Sequence, residues 1–253
     1  MRPFRVLKGG GVAAPKIAVV DYHKGNLSSV ARGLSRAGAQ AFISDNPEEI
    51  AAAQAAVVPG VGAFYDAATF MQQHGQAEAV RAMVDAGKPV LGICLGLQLL
   101  FDCGDEGVPE DVPASDGAKP NGAGLACGTP FRQEGKRWAR GLGLAPGRCT
   151  RLRSSRLKVP HVGWDQLHLT QAGRTSALLR GVPEGANMYF THSYAVEDAA
   201  ACDVLARTHY ANSFACAVQH GSAFGVQFHP EKSSAAGQLI LGNFVRIAEG
   251  DLK

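Results

Sequence analysis

No two of the six cysteines in this 253-residue chain stand in C-x-x-C spacing; they lie at positions 94, 103, 127, 149, 202 and 216. Neither a zinc cage nor a disulfide framework is suggested, and thiols kept reduced inside a cell fit the pattern. Long apolar runs are missing as well. The run at 51–62 is broken by Gln54, Pro59 and Gly60, so no segment is long enough to cross a bilayer. Arg2, Arg5 and Lys8 are followed by Gly9-Gly10-Gly11, where a signal peptide needs a continuous apolar stretch. An excess of one charge is lacking too: 25 Lys and Arg against 22 Asp and Glu leave a net charge of +3, without the footprint of a nucleic-acid binder. There is no Walker A sequence, and Gly60-x-Gly62 does not extend to G-x-G-x-x-G because position 65 is Tyr, so nucleotide binding is unsupported. The expectation is a soluble cytoplasmic protein with no membrane and no nucleic-acid partner.

What is present describes a folded chain. Hydrophobic residues make 46% and charged residues 19%, enough to bury a core at this length. Residues 16–21 read as a buried strand, and Asn26 as the cap of a helix carrying Leu27, Val30, Ala31 and Leu34 at helical spacing, ended by Gly38. A strand at 41–44, a helix opened by Asp45-Asn46-Pro47, a strand at 55–58, a helix at 76–86, a strand at 88–93 and a helix at 95–101 continue the alternation. Apolar strands alternating with helices imply an α/β fold with an open, mostly parallel sheet covered on both faces. Farther on, 187–194, 203–208, 213–219 and 223–228 read as strands that pair antiparallel, the last two joined by a turn at 220–222. A helix bearing Ala236, Leu239, Ile240, Phe244 and Ile247 closes the chain. Between the halves, 104–140 holds seven of the 31 glycines and four of the 13 prolines, with no apolar period. It reads as a solvated loop or lid, and residues 1–15 as a tail, which leaves one domain over 16–253.

Gly92-Ile93-Cys94-Leu95-Gly96 carries the strongest chemical signal. A cysteine between two glycines where an apolar strand enters a helix is a nucleophile elbow with sulfur in place of oxygen. The dipole and free N–H groups of a helix start favour an anion there, and the Leu95 N–H is placed to donate to an oxyanion. Phe228-His229-Pro230-Glu231 adds a base and a carboxylate: in an extended segment residues two apart share a face, so Glu231 can orient His229. Cys94, His229 and Glu231 together supply what thiol acyl transfer requires. Pro59-Gly60-Val61-Gly62-Ala63-Phe64 follows an apolar strand at the sheet end where ligands collect, and its two glycines let a peptide N–H turn toward an oxyanion.

PGVGAF at 59–64, GICLGLQLLF at 92–101 and GVQFHPEKS at 225–233, in that order, resemble the class I glutamine amidotransferases, whose fold is flavodoxin-like. Asp21-Tyr22 with Gly25-Asn26-Leu27, the run at 141–148, Lys158 to Asp165 and Tyr189 to Tyr194 are similar to the glutaminase subunits of imidazole glycerol phosphate synthases. The resemblance covers 16–103 and 141–249. It implies hydrolysis of glutamine through Cys94, His229 and Glu231, an oxyanion held by the N–H groups of Val61 and Leu95, and glutamine bound by Gly60, Gly62, Gln98, Ser193 and Tyr194. It further implies a cyclase subunit, a (β/α)8 barrel in a heterodimer, contacted by Asn26, Tyr189 and Lys232, and no metal or organic cofactor.

Three departures accompany the resemblance. His23-Lys24 stands where a glycine commonly precedes the Gly-Asn pair, Thr191 replaces a usual valine, and 104–140 is an insertion without a family counterpart. Two other readings compete: a glutaminase serving another acceptor synthase, against which the motif at 160–164 speaks, and a non-catalytic regulatory subunit of a barrel partner, against which the intact Cys94, His229 and Glu231 speak.

Overall fold

A computed structural model describes residues 13–23, 25–116 and 125–252. The first half runs β1 (Lys16–Val20), α1 (Leu27–Arg36), β2 (Gln40–Ser44), α2 (Pro47–Ala52), β3 (Ala55–Gly60), α3 (Phe64–Gln73), α4 (Gln76–Asp85), β4 (Val90–Cys94) and α5 (Leu95–Leu100). There follow β5 (Phe101–Gly104), β6 (Ser115–Asp116), β7 (Pro130–Gln133), β8 (Lys136–Arg140), β9 (Ala145–Arg151), β10 (His161–Gln166), β11 (His168–Leu169) and α6 (Gln171–Thr175). The chain finishes with β12 (Asn187–His192), β13 (Tyr194–Glu197), β14 (Val204–Tyr210), β15 (Asn212–His220), β16 (Ala223–Val226) and α7 (Ser234–Ala248).

Strands β2, β1, β3, β4 and β16 lie side by side in that order, all parallel. Beyond β16 the sheet turns antiparallel through β15, β13 and β9, then passes β5, β8, β7 and β6. β10 and β12 form a separate antiparallel pair. Alternation along β1 feeds both faces: Ile17 and Val19 join the core under α1 and α7, while Ala18 and Val20 join the core under α2 to α5. β3 is buried over its whole length, and each fully buried Val or Leu of such a strand contributes about 1.5–3 kcal/mol. The expected α/β architecture with a mostly parallel sheet is what the chain forms.

Several expectations need correction. Residues 104–140 are not all loop: β7 and β8 pair through Phe131 opposite Trp138 and extend the main sheet through β5, with Phe131 and Trp138 buried. Glu134 and Gly135 both take positive φ, +54° and +71°, which lets two residues close this hairpin. α3 went unread although Phe64, Ala67, Ala68 and Met71 share one buried face. Asn26 stands at the N-cap of α1 but its side chain makes no capping bond. The strand expected at 187–194 is two strands, in different sheets, divided at Ser193. Residues 1–12 of the expected tail lie outside the described residues.

Candidate active site

The parallel strands β3 and β4 end side by side, and every reactive group gathers at that edge. Cys94 closes β4 and precedes α5 with φ +56° and ψ −107°, a conformation that L residues rarely adopt. Two glycines make that turn possible. A Cβ on Gly92 would collide with the backbone of Gly96, and a Cβ on Gly96 would collide with the Val58 carbonyl. Leu95 opens α5, so its N–H is one of the first four that a helix leaves without an internal acceptor.

His229 Nδ1 lies 3.0 Å from Glu231 Oε1, with the two side chains only 5% and 2% exposed. The contact forms differently from the expected extended segment, because Pro230–Lys232 is a 3₁₀ turn that folds the carboxylate back onto the ring. Burial disfavours a charged ring, but the Cys94 thiol and the Glu231 carboxylate outweigh it and raise the His229 pKa to about 9. His229 Nε2, the nitrogen left for Cys94 to act on, is buried without a regular hydrogen bond, and so is Glu231 Oε2. Gln227, which the sequence reading missed, points its Nε2 at Cys94 Sγ from 3.6 Å. Cys94 Sγ also approaches the Thr191 carbonyl at 3.8 Å.

Cys94 opens on a cavity of about 350 Å³ lined also by Val61, Gly62, Leu95, Gln98, Ser193 and Tyr194. Those expected site residues therefore share one hollow. Gly60 does not line it but stands opposite Cys94 in the β3–β4 register, and the side chains of His229 and Glu231 are buried outside the lining. Gln98 Nε2 is held by the Tyr194 carbonyl at 2.9 Å and by Gln227 Oε1 at 3.2 Å. Glu106, from the segment read as a loop, also faces the cavity. It accepts from the Phe64 N–H at 3.2 Å through its carboxylate and from the Tyr65 N–H through its backbone. Burial above all pushes its pKa up to about 7; the Phe64 N–H opposes this, and Asp105 and Asp66 add to it.

His192 lines the cavity and meets His161, with His161 Nδ1 3.1 Å from His192 Nε2 and His192 Nδ1 2.8 Å from the Tyr194 carbonyl. Burial pushes the His192 pKa down to about 3, against the Tyr194 carbonyl bond, with His161 and His229 lowering it further. Among the described residues no group of three or more His, Cys, Asp or Glu side chains is arranged to hold a metal ion. No helix among them is long and apolar enough to cross a membrane.

Tyr189 and Lys232 are brought together beside Trp164: the Lys232 ammonium lies 5.7 Å from the Tyr189 ring centre, and the two aromatic rings meet edge to face at 5.9 Å. Trp164 is 53% exposed and Val162 58%, an apolar face next to the site. Asn26 is exposed at the start of α1, after Gly25, whose φ of +128° seats it against Gly60. His23 holds φ +59°, in the left-handed region that favours glycine, while Lys24 lies outside the described residues.

The family model for class I glutamine amidotransferases matches residues 18–248. Among curated proteins, the imidazole glycerol phosphate synthase subunit HisH of Moorella thermoacetica is 42% identical over 228 residues, 90% of this chain and 93% of the relative. That of Geobacillus kaustophilus is 39% identical over 239 residues, 92% of this chain and 98% of the relative. Among solved structures, a glutamine amidotransferase superposes with a TM-score of 0.62 at 16% identity, covering 92% of this chain and 98% of the other. PurLQS from Thermotoga maritima gives 0.61 at 15% identity, covering 92% and 99%. With its elbow, its buried His–Glu pair and these relatives, the chain belongs to the class I glutamine amidotransferases and, among them, to the family of the HisH subunits of imidazole glycerol phosphate synthase.

Proposed function

We propose that this chain, as the glutaminase subunit, hydrolyses glutamine at Cys94 and passes the ammonia to a cyclase subunit with which it forms a heterodimer. The observation that carries the reading is Cys94, on a strained backbone at the cavity, acting on the buried ring of His229, whose other nitrogen is held by Glu231. His229 takes the thiol proton, and Cys94 Sγ attacks the side-chain amide carbon of glutamine. The N–H groups of Leu95 and Val61 hold the oxyanion in the tetrahedral intermediate. Collapse breaks the C–N bond, and the proton on His229 leaves with ammonia. A water deprotonated by His229 then attacks the γ-glutamyl thioester, releasing glutamate and the thiol. Glu231 keeps the imidazole oriented and stabilises its charged form.

Gly60, Gly62, Gln98, Ser193 and Tyr194 surround the substrate. Gln98, its NH₂ group already bonded internally, has its carbonyl oxygen to offer. Glu106 is the carboxylate that faces the cavity, and a carboxylate there suits the α-ammonium of an amino acid. On the partner side, Asn26, Tyr189 and Lys232, with the exposed Trp164 and Val162, form the docking face for the barrel. The cyclase joins the ammonia to a phosphoribulosyl aminoimidazole substrate, giving imidazole glycerol phosphate and the aminoimidazole ribotide. The chain works as one domain over 16–253 in the cytoplasm. Relatives that are imidazole glycerol phosphate synthase subunits support this acceptor over those of other synthases.

The test is Cys94→Ala in the complex with the cyclase. Glutamine-dependent synthesis is expected to fall at least about 1,000-fold while ammonia-dependent synthesis persists. Intact glutamine-dependent synthesis would overturn the assignment.

A further inference from the structure

Three carboxylates, Asp102, Asp105 and Glu106, follow α5 within five positions, and the β7–β8 hairpin supplies cations to two of them. β8 lies antiparallel to β5, with Cys103 opposite Arg140 and Gly104 opposite Ala139. Arg140 Nη1 stands 3.4 Å from Asp102 Oδ1, both side chains nearly buried. Lys136 Nζ pairs with Asp105 Oδ2 and rests over the Trp138 ring, 4.6 Å from its centre. Among the described residues no cation pairs with Glu106, whose carboxylate takes the Phe64 N–H and faces the cavity.

The same segment grips α3 along its length. Cys127 donates its N–H to Gln72 Oε1 at 3.0 Å, and Gly128 sits so close that a Cβ there would come within 2.7 Å of Thr69 Cα. Gly104 lies under the Phe64 ring, which a Cβ would approach to 2.6 Å. α3 begins two residues after Gly62, so the segment braces both the oxyanion turn and the carboxylate wall.

We propose that Lys136 is a positioning residue for glutamine: by clamping Asp105 to the hairpin it fixes the adjoining Glu106, the carboxylate left free for the substrate's α-ammonium. The proposal rests on the reading of this cavity as the glutamine site. It gives the 104–140 segment a role in substrate affinity. Loss of the Lys136 cation leaves the Asp105 charge uncompensated beside Glu106, which holds the Glu106 proton to higher pH. The other groups facing Glu106 are the Phe64 N–H and Asp66 of α3, Tyr194 of β13 and Cys149 of β9, none of them a cation.

The experiment measures glutaminase kinetics of the complex with the cyclase against pH, for wild type, Lys136→Met, Lys136→Arg, Asp105→Asn and the double variant Lys136→Met/Asp105→Asn. Lys136→Met is expected to raise KM for glutamine about fivefold with kcat within about twofold, and to move the acid limb of kcat/KM to higher pH. Lys136→Arg restores both. In the Asp105→Asn background Lys136→Met adds little, because its effect runs through Asp105. An unchanged KM and acid limb in Lys136→Met, additive effects in the double variant, or a fall in kcat and thermal stability with KM unmoved would each overturn the proposal. A wild-type complex without glutaminase activity would instead overturn the reading of the site.

Discussion

Gly60 and Cys94 face each other across the parallel ladder of β3 and β4, so the turn proposed to offer an oxyanion donor and the proposed nucleophile ride on adjacent strands. Any shift between these strands moves donor and thiol apart. Gly96 sets their spacing, since α5 lies directly on β3 with the Val58 carbonyl where a Gly96 Cβ would be.

Gly96→Ala is therefore expected to cost about 3 kcal/mol of stability, because backbone rather than a flexible side chain must yield. With β3 displaced, kcat for glutamine falls about 100-fold. Thermal unfolding and single-turnover glutaminase kinetics check both, and a variant with wild-type values would show that the strands tolerate the shift.

Glu106 gives the isolated chain a pH dependence whose sign follows from its raised pKa. Its folded value of about 7 exceeds the ordinary 4.5, so the native state binds more protons than the unfolded chain between those values. Its contribution to stability falls as pH rises through that window and is fully unfavourable above pH 7 or so. Glu106→Gln, which keeps an acceptor for the Phe64 N–H, should raise Tm above that pH by about 3 °C and leave it unchanged in acid. The same substitution should raise KM for glutamine and abolish the acid limb of kcat/KM that the Glu106 carboxyl is expected to give the wild type near pH 7. Equal Tm profiles for the two proteins would refute the assignment.

His192 at the cavity and His161 beside it carry their protons in a fixed order. A carbonyl only accepts, so the Tyr194 carbonyl requires the His192 proton on Nδ1; His192 Nε2 is then the acceptor, and His161 must donate from its own Nδ1. Nitrogen NMR of labelled protein should find His192 neutral with its proton on Nδ1 down to about pH 5, since burial lowers its pKa to about 3. An imidazolium signal for His192 near neutral pH would contradict the network. The order holds Tyr194 in place at the substrate wall.

Much of the candidate site was legible because it depends on local geometry. Gly92, Cys94 and Gly96 are close in sequence, and Gly92 is demanded by a contact within the turn, the Gly96 backbone, although Gly96 answers to the distant Val58 carbonyl. His229 and Glu231 are two apart, and a bend of either kind brings them together, so the pairing was readable even though the extended segment proved to be a 3₁₀ turn. α3 was not readable in the same way. Its N-cap residue is Ala63, and the groups that satisfy its first N–H bonds belong to Glu106, 42 positions later.

The sequence by itself determined the alternation of strands and helices, the turn at Cys94 and the pairing of His229 with Glu231, because these follow largely from residue spacing and from steric demands within a few positions. Only the tertiary structure decided that the Gly- and Pro-rich segment 104–140 builds a hairpin onto the sheet, that Gln227 and Glu106 join the site, and that Lys136 answers Asp105. Those relations are contacts between residues far apart in the chain, and their energies exist only once the sheet has closed the distance.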